Sequence, residues 1–186
     1  MLGAVVLSPA TLDPIIIEMG SKYNVEPALI KAHIKQESNW DVNASRFEAH
    51  KNDASWGLMQ LLLATAKEVL ANPNLTITQL IQPRTNIEAG TKFISQLQRR
   101  FGNMRDAIAA YNAGSPRLNQ QGKYVNQDYV DRVTKNYEVY KSLGTSKVAE
   151  VAIDTAVALE SPDMIPIYII GGFGALGLVV LMSKEK

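Results

Sequence analysis

Glu37 is the position best placed for chemistry. Ile30, Ile34 and Glu37 recur at steps of four and three, so one helix face carries two aliphatic side chains and then a carboxyl. A carboxyl in apolar surroundings is partly desolvated, which disfavours its charged form. The partial negative charge at a helix C-terminus acts in the same direction. Both effects move the group toward the working range of a general acid. From these residues alone a second reading stands beside it, a solvated glutamate on a helix end.

Composition removes much competing chemistry. The 186-residue chain has no cysteine, so thiol nucleophiles, disulfides, Cys-ligated zinc and iron–sulfur clusters are excluded. Its two histidines, His33 and His50, are too few for a His-rich metal site, and no metal or cofactor is expected. Nineteen basic and 18 acidic residues leave a net charge of +1, which argues against a nucleic-acid partner held by a broad basic field. With 46% hydrophobic and 20% charged residues, the chain is neither disordered nor fibrous.

The elements that must position Glu37 read as helices over residues 9–143, a mainly α domain. Asp13-Pro14 offers a cap and a first-turn proline for a helix to about Ser21, and Glu26-Pro27 opens the next. Over 86–101, Ile87, Gly90, Phe93, Ile94, Leu97 and Phe101 form an apolar stripe. Further helices are expected over Ala107–Tyr111 and Asp128–Leu143, the latter with Tyr129, Val133, Tyr137 and Tyr140 on one face. No stretch shows sustained strand alternation.

Composition shifts near residue 163. Met164 to Met182 is a charge-free run of 19 residues. As a helix at ~1.5 Å per residue it spans about 28 Å, enough for a bilayer core. Gly171, Gly172, Gly174 and Gly177 suit a membrane helix better than a soluble one. The alternative is a buried helix of the soluble core. The expected organisation is therefore a catalytic domain over 1–143, a stalk over 144–163, a transmembrane helix over 164–182 and a short tail over 183–186. Leu2 to Leu7 is apolar but brief, with no Lys or Arg ahead of it, so no secretory signal is read there.

Four segments in order resemble the soluble lytic transglycosylase family, relatives of goose-type lysozyme. They are Ile34-Lys35-Gln36-Glu37-Ser38-Asn39-Trp40; Gly57-Leu58-Met59-Gln60 with Thr65-Ala66; Asn86-Ile87-Glu88-Ala89-Gly90-Thr91-Lys92-Phe93; and Ala109-Ala110-Tyr111-Asn112-Ala113-Gly114. A weaker fifth is Tyr129-Val130-Asp131-Arg132-Val133. Together they cover about residues 20–141. The resemblance implies a lysozyme-like helical domain with a saccharide cleft. It also implies cleavage of the β-1,4 bond between N-acetylmuramic acid and N-acetylglucosamine in peptidoglycan glycan strands. In that reaction the muramic acid C6 hydroxyl, not water, attacks C1 and leaves a 1,6-anhydro product.

Carried over residue by residue, Glu37 resembles the sole catalytic acid and Tyr111 the tyrosine whose hydroxyl bonds that carboxyl. Gln60 resembles the cleft glutamine, Met59 cleft wall, Asn112 a border of the sugar sites and Tyr129 a further cleft tyrosine. For Met59 and Tyr129, core packing is the rival role. Asp41, Glu48 and Asp53 read as loop charges rather than a second carboxylate. The family commonly has a serine reaching the substrate between Glu37 and Gly57. Ser45 is the nearest candidate, one position early, and the stretch Arg46 to Trp56 is longer than usual. His33 stands where the family is usually apolar. It is either a partner of Glu37 or a core side chain.

The layout leads to the expectation of a membrane-anchored peptidoglycan lytic transglycosylase. The lipid membrane is its partner through the C-terminal helix. Such a chain fits a bacteriophage virion with an internal membrane, alongside other virion proteins, with cell-wall opening at phage entry as its task. A bacterial envelope enzyme is the alternative location. A water-using muramidase and a non-catalytic peptidoglycan-binding virion protein are the alternative functions.

Overall fold

The computed structural model describes residues 4–48, 52–159, 164–167 and 180–183. It separates into two compact units, Met1–Lys141 and Ser142–Lys186. The first unit is mainly α. Its helices are α1 (Pro9–Tyr23), α2 (Pro27–Ser38), α3 (Leu63–Leu70), α4 (Ile77–Leu80), α5 (Pro83–Phe101), α6 (Met104–Ala113) and the first part of α7 (Gln127–Leu159). Between α2 and α3 lie three short antiparallel strands, β1 (Ser45–Glu48), β2 (Asp53–Trp56) and β3 (Leu61–Leu62), in the order β1-β2-β3.

Helix α5 is the central rod, packed against α1, α2, α3, α4 and α6. Pro83 starts it, where a missing N–H costs nothing, and Gly102 ends it at φ +75°. Its buried side is the expected stripe, with Ile87, Gly90, Ile94 and Leu97, and it also carries the polar Asn86, Thr91 and Ser95. Ile16, Ile30, Ile34, Leu58, Met59, Ile87, Val130 and Val133 lie in one core cluster at the centre of the unit.

Helix α2 presents Ile30, His33 and Ile34 to this core and ends at Ser38, with Asn39 in the left-handed conformation. Helix α7 turns Tyr129, Val130, Val133 and Tyr137 inward, and Tyr140 meets Trp40 edge-on with ring centroids 6.0 Å apart. The Tyr137 hydroxyl donates to Glu26 at 2.8 Å, joining α7 to the start of α2.

Three expectations are corrected. Helix α1 begins at Pro9, not after Asp13. Ser8 is its cap, accepting from the Thr11 N–H, and Pro14 lies inside the helix, where it forgoes one backbone bond. Residues 45–62 hold strands that periodicity did not announce. They are only four, four and two residues long, too short to display alternation.

The third correction concerns the second unit. Its described residues comprise the rest of α7, to Leu159, and two antiparallel strands, β4 (Met164–Ile167) and β5 (Val180–Ser183), with Met164 opposite Ser183. Both ends of the expected transmembrane helix are therefore extended, which suits the β-branched Ile165, Ile167 and Val180. Residues 168–179 of that span lie outside the described ones. No helix among the described residues is long and apolar enough to cross a membrane.

Candidate active site

The end of α2 brings Glu37 to the junction of two adjoining cavities, of about 420 and 550 Å3. Glu37, Arg46 and Asn112 line both, so the two form one groove with the carboxyl at its middle. The first cavity continues along the start of α7, past Tyr124, Asp128, Tyr129 and Arg132. The second runs past Ser55, Gln60, Thr65, Phe93 and Tyr111.

The Glu37 side chain is only 6% exposed. One oxygen, Oε1, accepts a hydrogen bond from the Tyr129 hydroxyl at 2.5 Å. The other, Oε2, lies 3.9 Å from a guanidinium nitrogen of Arg46 on β1. That separation is an ion pair beyond hydrogen-bond length. Burial first, and then the nearby Glu37 charge, hold both Tyr129 and Tyr111 well above the ordinary phenol range, so each stays a donor.

His33, one turn before Glu37 on α2, is 1% exposed. Its Nδ1 is 3.2 Å from the Tyr129 hydroxyl, and its ring centroid is 4.5 Å from that of Tyr111. Burial drives its pKa down to about 3, so the imidazole is neutral. Its partner is thus the phenol that holds the carboxyl, within the core, and neither sequence alternative described it fully.

Tyr111 does not bond Glu37 as expected. Its hydroxyl donates to the Met59 carbonyl at 2.8 Å. A phenol has one hydrogen, and this one is already given to the backbone. The bond to Glu37 comes instead from Tyr129, which faces α2 from the start of α7.

A tight elbow over Gly57–Gln60 leads to the second cavity, which Gln60 lines. Gly57 has φ +75°, and a Cβ there would sit 2.5 Å from Asn86 Nδ2, so the position requires glycine twice over. Asn86 on α5 is fully buried. It accepts from the Met59 N–H at 2.8 Å and donates to the Trp56 and Leu80 carbonyls at 3.0 and 3.1 Å. Gln60 lines the cavity, but both hydrogens of its amide go to the Ala44 and Gly57 carbonyls, each at 2.9 Å. Its oxygen accepts from Ser55 at 2.9 Å. Gln60 is therefore a brace for the elbow, with one oxygen lone pair left for a ligand.

Of the sequence candidates, Glu37, Gln60, Tyr111, Asn112 and Tyr129 meet around the groove, whereas Met59 and Ser45 do not line it. Met59 is fully buried against α5, where a Cβ on Gly90 would stand 2.2 Å from its sulfur. Ser45 is exposed at the start of β1, paired with Trp56. The serine lining the groove is Ser55. It stands opposite Arg46 across β1 and β2, and cross-strand partners share a face. Sequence reasoning missed Arg46, Ser55 and Asp128. The antiparallel register that sets Glu48 opposite Asp53 is what pairs the first two. Asp41 and Asp53 accept from nearby backbone N–H groups, Asp41 from Val5 and Asn43, Asp53 from Ala54, and neither lines the groove. No group of His, Asp and Glu among the described residues is arranged to hold a metal ion.

Comparison with known proteins matches residues 14–132 to the family described as "Transglycosylase SLT domain". The transglycosylase of Enterobacteria phage PRD1 is 28% identical over 116 residues, 62% of this chain and 39% of that protein. The invasion protein IagB of Salmonella typhimurium is 28% identical over 129 residues, 67% of this chain and 76% of that protein. An inactive mutant of the lytic transglycosylase Slt from Pseudomonas aeruginosa superposes with a TM-score of 0.59 at 25% identity. That match covers 73% of this chain and 25% of the Slt chain, and it identifies the fold as the mainly α, lysozyme-like one. The chain thus spans well under half the length of the phage and Slt relatives.

Proposed function

The chain belongs to the Transglycosylase SLT domain family, and we propose that it is a peptidoglycan lytic transglycosylase acting through Glu37. The proton on Oε2 passes to the glycosidic oxygen between N-acetylmuramic acid and N-acetylglucosamine as the C1–O bond breaks. The carboxylate so formed takes the proton of the muramic acid C6 hydroxyl. That oxygen bonds to C1 and closes the 1,6-anhydro ring. The first step leaves the group in the state the second requires. The substrate's N-acetyl oxygen stabilises the positive charge at C1 in place of a second carboxylate.

The observation that carries this reading is the single buried carboxyl at the centre of the groove, with one oxygen held by Tyr129. The test is mass spectrometry of purified murein after digestion. Anhydro ends are the expected product. Reducing ends, heavier by one water, would overturn the transglycosylase outcome.

One feature favours a hydrolytic muramidase as the second reading. Asp128 is exposed and lines the same cavity as Glu37, where it could activate a water. If reducing ends appear and Asp128→Asn abolishes them, that reading replaces the first. As to place of action, the charge-free run 164–182 supports association with a lipid surface, and likeness to the phage PRD1 transglycosylase supports a phage setting, with cell-wall opening at entry as the proposed task. Flotation of the full chain with phospholipid vesicles, against a chain ending at residue 163, tests the lipid partner. Failure to float would remove it.

A further inference from the structure

We infer that His33 is a positioning residue, which gives its Nδ1–H to the Tyr129 oxygen and so commits the phenol's one hydrogen to Glu37 Oε1. This rests on Glu37 being the acid proposed above. Whether Glu37 is ionised or carries its proton on Oε2, its Oε1 only accepts, so across 2.5 Å Tyr129 must donate to it. The phenol then has nothing left to give, so the nitrogen 3.2 Å away must donate to the phenol. A neutral imidazole has one N–H, and it therefore stands on Nδ1.

The direction of this chain matters for the reaction. With His33 feeding Tyr129 and Tyr129 feeding Oε1, the exchangeable proton is left to Oε2, the oxygen beside Arg46 in the groove. With the other tautomer, the bare Nδ1 would draw the phenol hydrogen to itself. Glu37 would then face the lone pairs of Tyr129, and its proton would be held on Oε1, away from the sugar. Tyr111 does not compete, since its hydrogen lies on the Met59 carbonyl while its ring packs on the imidazole. The titratable and charged groups around the chain are Tyr111 of α6, Tyr129 of α7, Glu37 of α2 and Arg46 of β1. Burial keeps the imidazole neutral down to about pH 3.

Two substitutions separate this role from packing. Asparagine places an amide N–H near the Nδ1 site, whereas glutamine places one near Nε2. The prediction for His33→Gln and for His33→Leu is a kcat about tenfold lower on isolated murein, with KM within about twofold. The basic limb of the kcat profile moves to higher pH, because a phenol no longer fed by the Nδ1–H is a weaker donor to the carboxylate. His33→Asn retains kcat and profile. In a Tyr129→Phe background, His33→Leu has no further effect. Thermal midpoints identify any variant that fails to fold, and the Asn–Gln pair then decides. Equal activity of the Asn and Gln variants would overturn the inference, as would an undiminished effect of His33→Leu without the phenol. Glu37→Gln is assayed alongside. If it keeps parental activity, the acid assignment itself fails, which is a different result from a silent His33.

Discussion

Tyr129 and Tyr111 flank the same buried imidazole and line the same groove, yet they serve different masters. Tyr129, from α7, gives its hydrogen to the carboxyl of Glu37, whereas Tyr111, from α6, gives its hydrogen to the backbone of the elbow. The regions around them differ in the same way. Between α2 and α7, polar groups are aimed at one reactive side chain. Around Gly57–Gln60, Asn86, Gln60 and Tyr111 direct theirs at backbone, so that half is a scaffold for the elbow. A tyrosine in a groove is therefore assigned by where its single hydrogen goes, not by its exposure.

That contrast can be broken at several points. The largest effect is expected from Glu37→Gln, which keeps shape and removes the proton, lowering kcat ~1000-fold while leaving the thermal midpoint nearly unchanged. Asn86→Ala strikes the scaffold instead. It strands the Met59 N–H and two carbonyls in the core, with a loss of ~3 kcal/mol in urea unfolding. Tyr129→Phe should lower kcat about 30-fold, since the acid loses its orienting donor, with ~1 kcal/mol less stability from the stranded imidazole N–H. Tyr111→Phe should cost a similar ~1 kcal/mol of stability but keep kcat within about threefold of the parent. If the Tyr111 variant loses kcat and the Tyr129 variant keeps it, that division of labour is wrong.

The imidazole supplies a fifth handle, through pH. Its pKa falls from an ordinary 6.5 to about 3 on folding, owing to burial. Between those values the unfolded chain binds more protons, so stability declines as the solution is acidified below pH 6.5. The slope contributed by one such group approaches ~1.4 kcal/mol per pH unit. His33→Leu should flatten the decline over that window, as read by unfolding midpoints at successive pH values.

Much of this was legible in the chain. Pro27 marks the start of α2, the apolar stripe over 86–101 marks the body of α5, and the spacing of Ile30, Ile34 and Glu37 places the acid beside an apolar helix face. The ordered motifs gather the groove, three of them at an end of α2, α6 or α7, one at the elbow and one in the body of α5. What sequence could not give was which tyrosine reaches the acid. Both lie on helices with apolar neighbours, and only the packing of α7 on α2 decides. Nor could spacing tell a wall residue from a core one at Met59, since the elbow turns its side chain toward Gly90. Ser45 was chosen by distance along the chain, whereas Ser55 reaches the groove through strand register. The apolar run 164–182 was read by length and composition, which do not distinguish helix from paired strands when β-branched residues stand at both ends.

The amide of Asn86 has a consequence for protein engineering. Residues 57–60 derive their shape from a side chain that arrives more than two dozen positions later, on another helix. Grafted into a foreign loop as a tetrapeptide, they would lose the partners that hold Gly57 and Gln60 in left-handed conformations. Anyone wishing to transplant this motif must move a pair of segments, and must keep a bare backbone at residue 90 for the sulfur to rest upon.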